Sequence, residues 1–89
     1  MAIYRVEFTR SAQKEFRRLP EKVRASAVEA LSLLAQNPYS ELLNVKKLRV
    51  PEDVFRFRIG DYRVLYEIRN KQLVVLVIKI GHRREVYRR

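Results

Sequence analysis

Residues 3 to 8 (Ile3, Tyr4, Arg5, Val6, Glu7, Phe8) alternate apolar with polar side chains, the period of a half-buried strand, so the chain is expected to open with one. Thr9 follows as a helix N-cap, its side-chain oxygen suited to accept from a free N–H of the first turn. Ala12, Phe16 and Leu19 then recur at helical spacing as far as Pro20, which stops that helix or opens the next at its first turn. A second helix is predicted from about Glu21 to Gln36, with Val23, Ala27, Ala30, Leu31 and Leu34 as its buried stripe and Asn37-Pro38 as its end. Two antiparallel helices joined at a proline make a hairpin whose evident use is to cover one face of a sheet.

Residues 39–53 read as a less regular connection containing Lys46, Lys47 and Arg49. Three strands are predicted beyond it, over Val54–Ile59, Tyr62–Ile68 and Gln72–Ile80, with turns at Gly60-Asp61 and Asn70-Lys71. The run LVVLVIKI hardly alternates and is expected to be buried on both sides, at the centre of the sheet. Gly81 is expected to bend the chain into GHRREVYRR, which is too poor in apolar residues for another core element. The fold class is therefore α+β, in the order β-α-α-β-β-β: a twisted, mainly antiparallel four-stranded sheet with an αα-hairpin packed on one face. Residues 1–89 form one domain, without internal repeat or linker, and a chain this long buries about two thirds of its unfolded surface.

A two-residue turn at Gly60-Asp61 sets the register of FRFRIGDYRVLY. Ile59 then pairs with Tyr62, Arg58 with Arg63, Phe57 with Val64, Arg56 with Leu65 and Phe55 with Tyr66, and directly paired residues share a face. One face carries Phe55, Phe57, Ile59, Tyr62, Val64 and Tyr66, and suits the helix pair. The other carries Arg56, Arg58 and Arg63, where like charges across a ladder destabilise by up to about 1 kcal/mol. Glu67 shares that face but can neutralise one arginine of three, so a bound polyanion is the stronger compensation. The inference depends on register, because a slip of one residue sends Arg63 to the other face.

Composition narrows the partner. The chain has 20 Lys plus Arg against 10 Asp plus Glu, a formal charge of +10, with arginine well ahead of lysine. The planar guanidinium suits phosphate, so nucleic acid ranks above a membrane surface, which would call for an amphipathic basic helix. The 47% hydrophobic content, with two Gly and three Pro, argues against disorder. No cysteine and a single histidine leave no thiolate or imidazole cluster for a metal, and no cofactor motif is present. Arg5, Glu7 and Arg10 interrupt the N-terminal apolar residues, and the run Leu73 to Ile78 is too short to span a bilayer, which points to a soluble, cytoplasmic protein with no membrane partner.

RNA carries its own nucleophile in the 2′-hydroxyl. A protein that aligns this group with the adjacent phosphorus and stabilises the crowded negative charge needs no metal, and several arginines with a tyrosine fit that task. They fit acid–base work poorly, since guanidinium keeps its proton. The tail could fold over the arginine-bearing face and add His82, Arg83, Arg84 and Tyr87, and an aromatic amid basic residues can stack on an unpaired base. His82, with Glu67 or Glu85 as partner, is a candidate for proton transfer, the alternatives being an incidental position beside a glycine bend and a phosphate contact.

The strand, helical hairpin, FRFRIGDYRVLY, LVVLVIKI and terminal IGHRREVYRR together resemble the RelE/ParE toxin superfamily over essentially the whole chain, its RelE branch in particular. That resemblance implies a ribosome-dependent mRNA endonuclease, or mRNA interferase, that cuts the message in the ribosomal A site on a fold similar to microbial ribonucleases. By position it implies Arg56, Arg58, Arg63, Arg83 and Tyr87 as the catalytic set, with Tyr87 stacked on the codon. Lys46, Lys47, His82, Arg84 and Arg88 join them as candidate RNA contacts. Some RelE toxins have lysine where Arg56 and Arg58 stand; arginine there implies phosphate and transition-state binding, with proton transfer from ribosomal RNA or water. The resemblance also implies a RelB-like antitoxin that wraps and blocks the toxin, and operator DNA binding only through that complex. An acidic segment folding on the basic face is physically consistent with this. The alternatives are a ParE-like non-enzymatic inhibitor of DNA gyrase and a plain basic RNA-binding module.

Overall fold

The computed structural model describes residues 3–39, 46–47 and 54–82. The elements are β1 (Arg5–Phe8), α1 (Arg10–Arg17), α2 (Glu21–Gln36), β2 (Lys46–Lys47), β3 (Val54–Ile59), β4 (Tyr62–Arg69) and β5 (Val74–His82). They build one sheet in the order β1-β5-β4-β3-β2, antiparallel except where β1 runs parallel to β5. The α+β class, the helical hairpin on one face and the four longer strands are as the sequence predicts; the two-residue β2 adds a fifth strand at the edge, from a stretch expected to be irregular.

Thr9 caps α1 as expected, its Oγ1 accepting from the Ala12 N–H at 3.1 Å. Pro20 stands at the N-cap of α2, and Arg24 ties the inter-helix turn by donating to the Leu19 carbonyl at 3.1 Å. Ala27, Ala30, Leu31 and Leu34 of α2 meet Phe57, Val64, Tyr66, Ile68, Val75, Val77 and Ile80 in one core, with Ala12 and Leu19 from the α1 side. Alanine at three of these helical positions lets backbone approach backbone, so large strand side chains fill the space between the layers. Tyr66 is fully buried beside Phe55 and Phe57, with ring centroids 5.8 and 6.0 Å away, and its hydroxyl donates to the Pro38 carbonyl at 3.0 Å. No helix among the described residues is long and apolar enough to cross a membrane.

The sheet departs from expectation at both ends of β5. Strand β1 starts at Arg5 rather than Ile3, because the N–H groups of Ile3 and Tyr4 donate to the Ala35 carbonyl near the end of α2, at 3.0 and 2.8 Å. The β4–β5 turn takes four residues instead of two and holds Leu73 at φ +57, so β5 starts at Val74. Gly81 does not bend the chain: β5 runs through it to His82.

Nor is β5 uniformly buried. Val75, Val77 and Ile80 point into the core while Leu76, Ile78 and Lys79 are half-buried, a step of three in a period of two. The ladder explains it: Leu65 pairs with Lys79 and Tyr66 with Val77, leaving Ile78 as a bulge. In an unbroken strand Lys79 would follow Val75 and Val77 into the core. The bulge turns it out and sends Ile80 in.

Helix α1 takes over where β1 stops. The Thr9 hydroxyl donates to the Ile78 carbonyl at 3.3 Å, and Glu15 accepts from the Ile80 N–H at 2.7 Å, so the backbone of β5 stays satisfied past the last residue of β1.

Candidate nucleic-acid interface

The β3–β4 ladder has the register expected from a two-residue turn at Gly60-Asp61, with Arg58 opposite Arg63 and Arg56 opposite Leu65. Gly60 at φ +58, followed by a residue with negative φ, has the φ signs of a type II′ turn, whose twist matches that of the strands it joins. Phe57, Val64, Tyr66 and Ile68 enter the core with the helices, so Arg56, Arg58 and Arg63 stand on the face turned away from them. Arg58 is exposed and makes no hydrogen bond or ion pair with the described residues; Arg56 and Arg63 are half-buried.

Charge on that face is divided along the strands. At the Gly60 end one cross-strand row holds Arg58, Arg63 and Gly81, and the next holds Lys46, Arg56, Leu65 and Lys79. Among the described residues these rows hold no acidic residue of their own, and one carboxylate from outside the sheet, Glu15 of α1, reaches Lys79 at 3.1 Å. Towards the β4–β5 turn come Glu67 and Glu7, each bound to an arginine two residues away on its own strand: Arg69 at 2.7 Å and Arg5 at 2.9 Å. Glu67, the one acidic residue expected to offset the arginines, is thus engaged by Arg69. The result is a cationic half and a neutralised half on one face, which fits a ligand of repeated negative charge at the Gly60 end.

The expected RNA contacts do not all fall together. The ladder pairs Lys46 with Arg56 and Lys47 with Phe55, so the two stand in different cross-strand rows. His82 also departs from expectation: it pairs with Tyr62, on the Tyr62 side of the sheet, with ring centroids 5.8 Å apart in a T-shaped contact. Continuation of β5 through Gly81 keeps it there. Arg83, Arg84, Glu85, Tyr87 and Arg88 lie outside the described residues. Lys79 was not among the residues singled out from sequence, although a lysine inside LVVLVIKI was the signal that the strand alternation must break near it.

Comparison with known proteins agrees with this geometry. The family model described as the ParE toxin of the type II toxin-antitoxin system, parDE, matches residues 6–87. The chain belongs to the RelE/ParE toxin superfamily. Within the superfamily its relatives carry RelE-type names. Toxin RelG of Mycobacterium tuberculosis is 35% identical over 89 residues, covering 97% of this chain and 98% of the relative. The mRNA interferase toxin RelE of Escherichia coli is 32% identical over 88 residues, covering 94% and 90%. Among solved structures, the isolated E. coli RelE toxin superposes with a TM-score of 0.79 at 30% identity, covering 89% of this chain and 83% of that one. The RelE of the archaeal RelE–RelB complex from Pyrococcus horikoshii gives 0.79 at 31%, covering 91% and 96%. The RelE-type fold and RelE-branch membership are thereby established for this chain.

Proposed function

We propose that this protein is the toxin of a type II toxin-antitoxin system and an endoribonuclease that cuts messenger RNA in the ribosomal A site. The observation that carries the proposal is the direct opposition of Arg58 and Arg63, with Arg56 in the next row, in cross-strand rows that hold no acidic residue among the described residues. Likeness to a relative named as an mRNA interferase toxin supports the reaction class, and likeness to RelE–RelB complexes supports a RelB-like antitoxin as partner.

The chemistry follows from what guanidinium groups do. The 2′-oxygen of one nucleotide attacks the adjacent phosphorus, the bond from phosphorus to the 5′-oxygen breaks, and a 2′,3′-cyclic phosphate and a 5′-hydroxyl result. The 2′-hydroxyl loses a proton and the 5′-oxygen gains one. Arg56, Arg58 and Arg63 bind the phosphate and stabilise the charge that gathers on its non-bridging oxygens, with Arg83 joining them and Tyr87 stacking on a base of the codon. Preorganised cations supply electrostatic stabilisation without a metal. Since arginine retains its proton, the transfers fall to water or ribosomal RNA. The setting is the cytoplasm, where messages are translated.

Primer extension on a message translated with purified protein tests the proposal. Cuts confined to ribosome-occupied codons are expected. Inhibition of gyrase supercoiling without any cut would replace it with the ParE-like activity, and salt-sensitive RNA binding without a cut would reduce it to a binding module.

A further inference from the structure

Lys79 is the one described cation of the arginine-bearing rows that the resemblance to RelE toxins leaves without a role, and two separate features are built around it. The first is the bulge at Ile78, which takes Lys79 out of the core and sets it opposite Leu65, in the row that continues to Arg56. Bulges recur beside functional sites, where they re-aim a side chain. The second is Glu15 of α1. One carboxylate oxygen accepts from the Ile80 N–H at 2.7 Å, and the other binds Lys79 Nζ at 3.1 Å. The lysine side chain is 44% exposed and that of Glu15 27%, so water screens the pair and it is weakly held.

We propose that Lys79 is a further phosphate-contacting residue of the RNA site, parked on Glu15 in the free protein and transferred to a backbone phosphate next to the one gripped by Arg56, Arg58 and Arg63. The inference rests on the RNA-cleaving reading of the same face. The exchange is cheap on both sides. Glu15 keeps the Ile80 N–H when Lys79 leaves, so no buried carboxylate is stranded, and the ammonium trades one anionic oxygen for another. A lysine suits this post better than an arginine, because its single-point charge on a flexible stem can swing between two acceptors. In the free protein Glu15 also offsets one charge on a crowded face.

The test uses the full chain and a short single-stranded RNA with 2′-methoxy groups, which binds but offers no nucleophile. Each phosphate neutralised on a single strand contributes about 0.7 to the slope of log affinity against log salt. Lys79→Met should lower that slope by about 0.7 and weaken binding severalfold at low salt, while Lys79→Arg keeps the slope. Glu15→Gln retains an acceptor for the Ile80 N–H but releases the ammonium, and should tighten binding with the slope unchanged. A wild-type slope and affinity in Lys79→Met overturn the proposal, as does a drop in melting temperature alone, since that marks Lys79 as a structural partner of Glu15. The concentration of toxin giving half-maximal single-turnover cleavage of a ribosome-bound message should rise in Lys79→Met, with the plateau rate kept. If the wild type cuts nothing on ribosomes, the cleavage reading fails by itself, and the salt slopes still decide the role of Lys79.

Discussion

Arg58 and Arg63 face each other directly across the β3–β4 ladder, one pair in from the Gly60-Asp61 turn. In a two-residue hairpin the pair beside the turn exchanges hydrogen bonds, so this one is a non-hydrogen-bonded pair, with Cα atoms about 4.5 Å apart and side chains at their closest. Two guanidinium groups held this way cost stability in the free protein and gain it when a phosphate lies between them. Replacing Arg58, the exposed member, should therefore separate the two effects. Arg58→Gln is expected to raise stability by about 0.5 kcal/mol, more at low salt than at high, and to lower cleavage by about a hundredfold. Thermal melts at two salt concentrations and single-turnover cleavage measure both. Unchanged cleavage would remove Arg58 from the site.

The turn that creates this opposition is a backbone matter. Gly60 sits at φ +58, and a Cβ added there would meet nothing within 4 Å. Gly60→Ala should thus cost only the positive-φ backbone of the turn, about 1–3 kcal/mol, and should leave the arginines in register with cleavage retained. A much larger loss of stability by denaturant titration would mean that the turn changes type and the register slips.

What could be read from the chain and what could not divides along physical lines. The hairpin register and the bounds of α2 follow from local signals: a Gly-Asp turn, period-2 alternation, a proline at one end and Asn37-Pro38 at the other. The pairing of β1 with β5 in parallel is set by a contact some 70 positions away in sequence, which no local pattern carries. Strand β2 is two lysines long, too short for any period. His82 departs from its local pattern for a different reason. Gly81 reads locally as a bend, but its neighbours Ile80 and His82 still have partners in Val64 and Tyr62, so pairing carries the strand through. In the candidate site, the arginines could be placed because they lie beside the turn, whereas the position of Lys79 depends on a bulge that answers to core packing.

The β4–β5 turn stores strain that a single substitution can release. Leu73 adopts φ +57 and the residue is 45% exposed, and the backbone hydrogen bonds it makes, from Leu73 N–H to the Asn70 carbonyl and from Arg5 N–H to the Leu73 carbonyl, do not involve the side chain. Leucine in this region is disfavoured by about 1–2 kcal/mol, and asparagine tolerates it better. Leu73→Asn should raise stability by about 0.5–1 kcal/mol, or about 2–8 °C in melting temperature. Cleavage should be unaffected, because the turn lies at the opposite end of β4 from Arg63. Destabilisation in the melt would show that the leucine side chain holds the turn after all.

Tyr66 links the core to the end of α2, and its chemistry gives a signature in pH. Its ring is fully buried and its hydroxyl donates to the buried carbonyl of Pro38 at 3.0 Å. Burial, reinforced by Tyr39, pushes the phenol well above the usual tyrosine range. Removing the hydroxyl in Tyr66→Phe strands that carbonyl and should cost about 1–3 kcal/mol, a fall of about 5–20 °C. The pH effect has the sign of a raised acid: below the ordinary tyrosine value of about 10 both states keep the proton and the contribution is whole. Above it the unfolded chain ionises while the folded one does not, so stability should fall by about 1.4 kcal/mol per pH unit from this residue alone. Denaturant titrations between pH 9 and pH 11 (about one unit either side of that value) should show stability falling by about 1.4 kcal/mol less across that range in Tyr66→Phe than in the wild type. Equal slopes in the two proteins would mean that the phenol ionises in the folded state, and that it is reached by water despite its place in the core.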